Sequence, residues 1–478
     1  SPLRDEMTST GLGPSAGHYR RLVGFFCLWK ALLLGLAAFC PGPGYDTSAY
    51  ILFDSSTTRH LNLANLSHAD QLVLNLFRWD ALYFVDAADH GQVHEQQWAF
   101  SWAYSHLLRV VGQCERHPGK LRLTFPGAVE CPLQYYIVAG IIVSNVCHLL
   151  SVLVLYRLLA LVLDSLQRRR VAFVASVLHI LTPASLFMSA PYAESLFSLL
   201  NFTGMLCYVQ SKLAAKCGHA SFLEDVYKLS SGLLFASATL MRSNGLLSGL
   251  ILLYDVGRYI PLFLPIRLNY HNMRSILVTC VAGMIIICGF LGPQYVAYRE
   301  FCGREGSSGR REWCDKSIPS IYSWVQSHYW NVGFFRYWTA SNLPLFVLAA
   351  PMLWLLIQSS VNILHTSFEQ QPLRTRGSTV NCDPTRMDSA CAVVTVPELA
   401  LPQLVLAIAA VTSFHVQIVN RIASGYPIWY ITIAEMLTHG RRVTPNQKTF
   451  LKGQGVVRGM IMYTLVQGML YANFLPPA

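Results

Sequence analysis

The stretch YYIVAGIIVSNVCHLLSVLVLYRLLALVL, residues 135–163, decides the fold class. A bilayer crossing takes about 20 predominantly apolar residues in helical form, and this run exceeds that length. A second run at 275–297 has the same character. They sit in a chain of 478 residues that is 53% hydrophobic and 13% charged, with a mean hydropathy of +0.38. Soluble domains carry about 25% charged residues, so the composition argues against a soluble enzyme, a disordered chain or a disulfide scaffold. The chain reads as an all-α polytopic membrane protein.

Working outward, further spans fall near 22–40 (a signal anchor by its length), 171–189, 192–210, 343–365, 398–416, 424–438 and 456–474. Residues 229–257 hold two shorter apolar runs separated by Met241-Arg242-Ser243-Asn244-Gly245. This is either one span with a central arginine or two helices meeting at a polar turn. The net charge of +11 decides between them, because basic residues of membrane proteins are retained in cytosolic loops. Arg20-Arg21, Arg168-Arg169-Arg170, Lys212/Lys216/Lys228, Arg258/Arg267/Arg274, Arg374/Arg376/Arg386 and Arg441/Arg442/Lys448/Lys452 share one side only if 229–257 enters and returns. The charge therefore reports orientation and not a nucleic-acid partner. The expected topology has about 11 membrane segments, a cytosolic N-terminus and a non-cytosolic C-terminus.

Residues 1–478 then form a single integral membrane unit with two large non-cytosolic loops, 41–132 and 298–342, both rich in Trp, Tyr and His. The apolar stretch 98–111 reads as interfacial. The cytosolic loop 366–396 is polar, carries Gln-Gln-Pro and Asp-Pro, and reads as flexible. Of the 13 cysteines, Cys114 with Cys131 and Cys302 with Cys314 are candidate pairs in an oxidising lumen; the second pair closes one loop. Asn65-Leu66-Ser67 is a candidate glycosylation sequon on that side, whereas Asn201-Phe202-Thr203 falls within a span. No HExxH, paired CxxC or luminal Asp-x-Asp pattern points to a metal, and none is expected.

The first large loop contains Arg78-Trp79-Asp80-Ala81-Leu82-Tyr83-Phe84-Val85-Asp86-Ala87-Ala88-Asp89-His90-Gly91. It reads as a short helix ending at Gly91, a favoured C-cap residue, with Asp86 and His90 paired four apart. By position alone Asp80 is first an N-cap, since Asp is a preferred cap and suits the helix dipole. The sharper reading is a general base beside an aromatic platform, Trp79. Among charges near or within spans, Glu194, Arg242 and Arg421 stand out, because an intramembrane arginine is expensive and so a functional candidate. The structural alternative for each is a snorkelling or locally paired side chain.

Trp79-Asp80 followed by Ala88-Asp89-His90-Gly91 resembles the GPI mannosyltransferase 2 (PIG-V) family. The likeness continues through Pro191-Tyr192-Ala193-Glu194-Ser195-Leu196-Phe197, Arg242-Ser243-Asn244-Gly245, Ile321-Tyr322-Ser323-Trp324-Val325-Gln326, Tyr329-Trp330-Asn331-Val332-Gly333-Phe334, His415-Val416-Gln417 with Arg421, and Asn473-Phe474-Leu475-Pro476. One departure is Ala99-Phe100-Ser101-Trp102-Ala103-Tyr104, where the family commonly has an Ala-Phe-Phe-Pro-like stretch.

The resemblance implies a C-type (GT-C) membrane glycosyltransferase of the endoplasmic reticulum, working on its luminal side. It would transfer the second mannose, by an α-1,6 linkage, from dolichyl-phosphate mannose to a mannosyl-glucosaminyl-phosphatidylinositol lipid, without a cofactor. A β-linked donor and an α-linked product call for one inverting displacement. Asp80 is then the candidate base, and Arg242 and Arg421 the candidates for the leaving phosphate. Trp79, Glu194, Asn244, Trp330, Asn331, His415 and Gln417 are further candidate substrate contacts. A lipid transporter or flippase, also built on broken helices and intramembrane arginines, and a non-catalytic subunit of a lipid-glycosylating complex are the alternatives. An accessory subunit stays open.

Overall fold

The computed structural model describes residues 14–40, 47–55, 68–116, 132–163, 168–216, 221–259, 269–303, 311–370, 396–439 and 447–473. All regular elements among them are helical. They are α1 (Pro14–Ala38), α2 (Ser48–Ser55), α3 (His68–Leu76), α4 (Asp80–His90), α5 (Trp102–Arg116), α6 (Pro132–Val162), α7 (Arg168–Ile180), α8 (Glu194–Lys216) and α9 (Ser221–Met241). There follow α10 (Gly249–Gly257), α11 (Tyr270–Cys302), α12 (Ile321–His328), α13 (Leu343–Gln370), α14 (Leu401–Thr412), α15 (Val419–Ile422), α16 (Ile428–His439) and α17 (Gln447–Ala472). Asn65 and Cys131, the side chain of Cys114, and most of 366–396 lie outside the described residues.

The expected membrane segments fall mostly on helical chain among the described residues. Among the described residues, four helices, α1, α6, α11 and α13, are each long and apolar enough to cross a membrane. Their outward faces are apolar: Leu277, Met284, Ile287 and Leu291 on α11, and Leu343, Val347 and Trp354 on α13, are exposed, as lipid contact requires. The segment expected at 171–189 is instead the 13-residue α7 followed by a 3₁₀ turn at Ser185–Met188. At about 1.5 Å per residue, α7 alone falls short of a hydrocarbon core of about 30 Å. It lies inside the bundle, with Val171, Ala172, Ala175 and Leu178 all buried. The stretch 98–111 divides between a 3₁₀ turn and α5, and its Trp98, Tyr104 and Leu108 are buried in the protein.

The region 229–257 enters and returns. Helix α9 ends at Met241, Arg242 is extended (φ −151°), a 3₁₀ turn runs over Ser243–Ser248, and α10 follows. Its two arms are fixed at the open end, where Asp255 near the end of α10 pairs with Lys228 of α9 at 3.4 Å and with Lys212 of α8. Glu224 of α9 in turn meets Arg274 of α11 at 3.4 Å. The basic partners Lys212, Lys228 and Arg274 belong to the expected cytosolic set and are gathered at one end. Helix α9 lies close along α11, Gly232 against Ala282 and Gly289 against Ala236, with no room for a methyl group at either glycine. Small residues of this kind let membrane helices approach. One arm is longer than the two short helices expected, because α9 begins at Ser221, well before the apolar run, whereas α10 is short, Gly249–Gly257.

The closed end turns tightly. A Cβ on Gly245 would stand 2.5 Å from the Thr239 backbone nitrogen and 2.7 Å from the Ala238 carbonyl carbon, both rigid parts of α9. Gly245→Ala should therefore destabilise the protein by about 1–3 kcal/mol, read as a lowered thermal midpoint of the detergent-solubilised chain. A melting curve matching the parent would contradict this turn.

Candidate active site

At the closed end of the hairpin a cavity of about 310 Å³ is lined by Asp80, Arg242 and Arg421, together with Trp330 and His415. Its remaining walls come from the two large loops, from α9 and α11, and from Ser243, Phe414 and Ile418. They include Tyr83, Phe100 and Trp102 on one side, Tyr322 and Gln326 on another, and Gln294 beside Pro293 of α11.

Asp80 is placed by an unusual turn. It is the first residue of α4, and the cap position belongs to Trp79, whose side chain makes no capping bond. The N-cap expectation for Asp80 is thus corrected by one residue. Trp79 holds a positive φ of 55°, a conformation that costs a bulky residue about 1–3 kcal/mol and persists only where its surroundings impose it. Two buried tyrosines impose it. Tyr192 donates to the Arg78 carbonyl at 3.0 Å and Tyr471 to the Leu76 carbonyl at 2.9 Å. The Arg78 guanidinium is tied to Asn75 at 3.0 Å, and Asn75 reaches back to the end of α1 through the Ala37 carbonyl at 2.9 Å. At the other end of α4, Gly91 is the C-cap (φ 88°), and Asp86 and His90 pair at 3.1 Å as their spacing predicts. Burial, and then the Asp80 carboxylate, push the Tyr83 hydroxyl above its ordinary range.

The charged residues form one connected set. Glu194, the first residue of α8, is 1% exposed and does not line the cavity. Its Oε1 lies 2.5 Å from Arg242 Nη1 and 2.9 Å from Arg421 Nε. Arg421 Nη1 lies 2.9 Å from Asp80 Oδ2. Arg421 sits in the four-residue helical link α15, its guanidinium packed over Phe187 and Tyr192 at 4.9 and 5.5 Å from the ring centroids. Two carboxylates and two guanidiniums, drawn from positions 80, 194, 242 and 421, thus share one neutral cluster.

The other candidate residues divide. Trp330 lines the cavity, and its carbonyl is bonded to His415 Nε2 at 3.0 Å, while the His415 ring stacks on Tyr337 at 4.8 Å. Gln417 accepts from the Tyr337 hydroxyl at 3.0 Å, and Asn244 donates to Tyr426 at 3.0 Å. These two, with Trp79, Glu194 and Asn331, are not among the lining residues. Asn331 is exposed in a turn of positive φ, 50°.

Glu95 is a residue that motif reading passed over. It is 6% exposed, in the 3₁₀ turn Glu95–Ala99 of the first large loop. Its carboxylate accepts from the indoles of Trp313 (3.1 Å) and Trp324 (3.2 Å) and from the Tyr329 hydroxyl (3.3 Å), with Arg311 at 3.5 Å. All four partners belong to the second large loop, which the Cys302–Cys314 disulfide also closes. Gln294, likewise unforeseen, accepts from the Tyr322 backbone N–H at 3.1 Å and ties α11 to that loop. A polar residue next to Pro293 inside an apolar helix was the available signal. Among the described residues, no group of three His, Cys, Asp or Glu side chains is close enough to hold a metal ion.

The model of the family described as Mannosyltransferase (PIG-V) matches residues 19–478. GPI mannosyltransferase 2 of Aspergillus oryzae is 38% identical over 461 residues, covering 95% of this chain and 94% of the relative. The protein of the same name from Chaetomium globosum is 36% identical over 484 residues, covering 96% of each. Among solved structures, the Archaeoglobus fulgidus oligosaccharyltransferase tethered with an acceptor peptide aligns with a TM-score of 0.46 at 11% identity, over 96% of this chain and 56% of that one. Matched by the family over nearly its whole length, and by relatives over nearly theirs, this chain belongs to the PIG-V mannosyltransferase family of membrane glycosyltransferases.

Proposed function

We propose that the chain transfers the second mannose of a GPI anchor, by an α-1,6 linkage, from dolichyl-phosphate mannose to a mannosyl-glucosaminyl-phosphatidylinositol lipid. The relatives are named for GPI mannosyl transfer, and the fold proposed for the transfer is of the C type. The observation that carries the reading is a carboxylate and two guanidiniums on the wall of one cavity. An inverting sugar-phosphate displacement needs both kinds of group. Asp80 takes the proton of the acceptor hydroxyl. That oxygen forms its bond to the mannose C1 as the C1–O bond to phosphate breaks, its electron pair staying on the phosphate. The dolichyl phosphate leaves with one more negative charge, which Arg421 and Arg242 receive as bidentate donors.

Charge is conserved within the cluster, since the negative charge lost at Asp80 on protonation reappears on the phosphate. No metal or cofactor enters this scheme, because the two arginines supply the positive charge. Glu194 holds both arginines in place. Trp330, positioned by His415, offers an aromatic face to a sugar; Gln417 and Asn244 act behind the wall through Tyr337 and Tyr426. Trp79 aims Asp80, and Asn331 shapes the turn after Trp330. The face bearing the site is the endoplasmic-reticulum lumen in this reading, in keeping with a disulfide on that side and with basic residues gathered at the opposite end of the hairpin.

Asp80→Asn keeps the side chain's shape and removes the base. On membranes supplied with dolichyl-phosphate mannose and the one-mannose acceptor, it should lower formation of the two-mannose product by about 10²-fold or more. Product formed at the parental rate would sink the assignment. Glu95→Ala frees the loop bearing Tyr322, Gln326 and Trp330 from the opposite wall and should lower kcat/KM by about 10- to 100-fold. Glu95→Gln, which keeps an acceptor oxygen, should lose less. Equal losses in the two variants would count against the hydrogen bonds as the cause.

A further inference from the structure

Arg421 is already occupied where the reading above needs it free. Its Nη1 holds Asp80 at 2.9 Å and its Nε holds Glu194 at 2.9 Å. The two carboxylates are not equivalent partners. Glu194 is 1% exposed, its Oε1 serves both arginines, and it stands off the cavity wall. Asp80 lies on the wall, with 28% of its side chain exposed. An anion arriving through the cavity meets a guanidinium whose accessible partner is Asp80, while its buried partner is fixed. The same contact takes up one of the two Asp80 carboxylate oxygens, Oδ2, and turns it toward the guanidinium.

We propose that the Asp80–Arg421 pair is the resting lock of the site, and that the phosphate of the donor opens it by taking Arg421 and releasing Asp80 to act as base. The exchange rests on the catalytic reading above and adds an order to it. The donor binds first, the freed carboxylate then receives the acceptor hydroxyl, and the base is unavailable while the donor is absent. It also makes Asp80 a competitor of phosphate for one guanidinium, so that removing its charge strengthens anion binding even as it abolishes catalysis. A residue with a purely structural role would weaken binding on removal or leave it unchanged.

The test is the affinity of the purified, lipid-reconstituted chain for dolichyl phosphate, the leaving product, measured by titration. Asp80→Asn should bind it about five-fold or more tightly than the parent while transferring no mannose, and Arg421→Gln should bind it more weakly than the parent. Lost transfer with unchanged or weaker binding in Asp80→Asn overturns the exchange and leaves the base assignment standing. Retained transfer in that variant overturns both. The order of binding is read independently on the unaltered enzyme. An acceptor lipid lacking the accepting hydroxyl should inhibit uncompetitively against dolichyl-phosphate mannose. Competitive or non-competitive inhibition, which requires that acceptor to bind the donor-free enzyme, overturns the proposal.

Discussion

A single buried carboxylate, Glu194, fixes the site and much of the packing around it. An ionised carboxylate in an apolar interior is tolerated only when it is paired, and removing one partner of such a set costs about 3–5 kcal/mol. Glu194 takes its partners from far along the chain, Arg242 at the hairpin turn and Arg421 in a four-residue helical link. The start of α8, the closed end of α9 and α10, and the segment between α14 and α16 are thereby held to a common point. The break after Met241 follows from the same demand. Arg242 leaves helical geometry there, and its guanidinium reaches the carboxylate instead of facing lipid.

The opposite end of the hairpin solves the same problem with different residues. Asp255 is 1% exposed and is matched by two lysines, while Glu224 is matched by Arg274. Between the two charged ends the helices pack through alanine and glycine. A membrane interior offers no hydrophobic drive for helix association, so ion pairs at both ends and close contact between them keep α9, α10 and α11 together.

How much of this was legible in the sequence depends on the distance over which each interaction acts. The apolar runs mark the helices, and the gathering of basic residues on one side requires the returning hairpin. The pairing of Asp86 with His90 and of Cys302 with Cys314 involves neighbours in the chain, and both form. By contrast, Asp80 and Arg421 are 341 residues apart, and Glu95 and its partners Trp313, Trp324 and Tyr329 are 218, 229 and 234 apart. No local pattern encodes such encounters. The same reason explains Gln417 and Asn244, which stand off the cavity wall and bond to Tyr337 and Tyr426. It also explains the short α7, since an apolar run records burial without saying whether lipid or protein provides it.

The cavity's two walls differ in the kind of force that holds them. On the membrane side, Glu194 is bound by two guanidiniums, and loss of either leaves an uncompensated buried charge. On the loop side, Glu95 is bound by two indoles and a phenol, neutral donors whose hydrogen bonds to a carboxylate are worth about 1.5–3 kcal/mol each, and by Arg311, which is 55% exposed and largely screened. The first wall therefore resists displacement of the two arginines. The second can yield hydrogen bond by hydrogen bond without stranding a charge in lipid, with the Cys302–Cys314 bridge limiting how far its loop departs. A mannosyltransferase that must admit a sugar donor and a lipid-linked acceptor while keeping its charged groups in register needs this division, with firmness placed at the arginines and compliance at the loop.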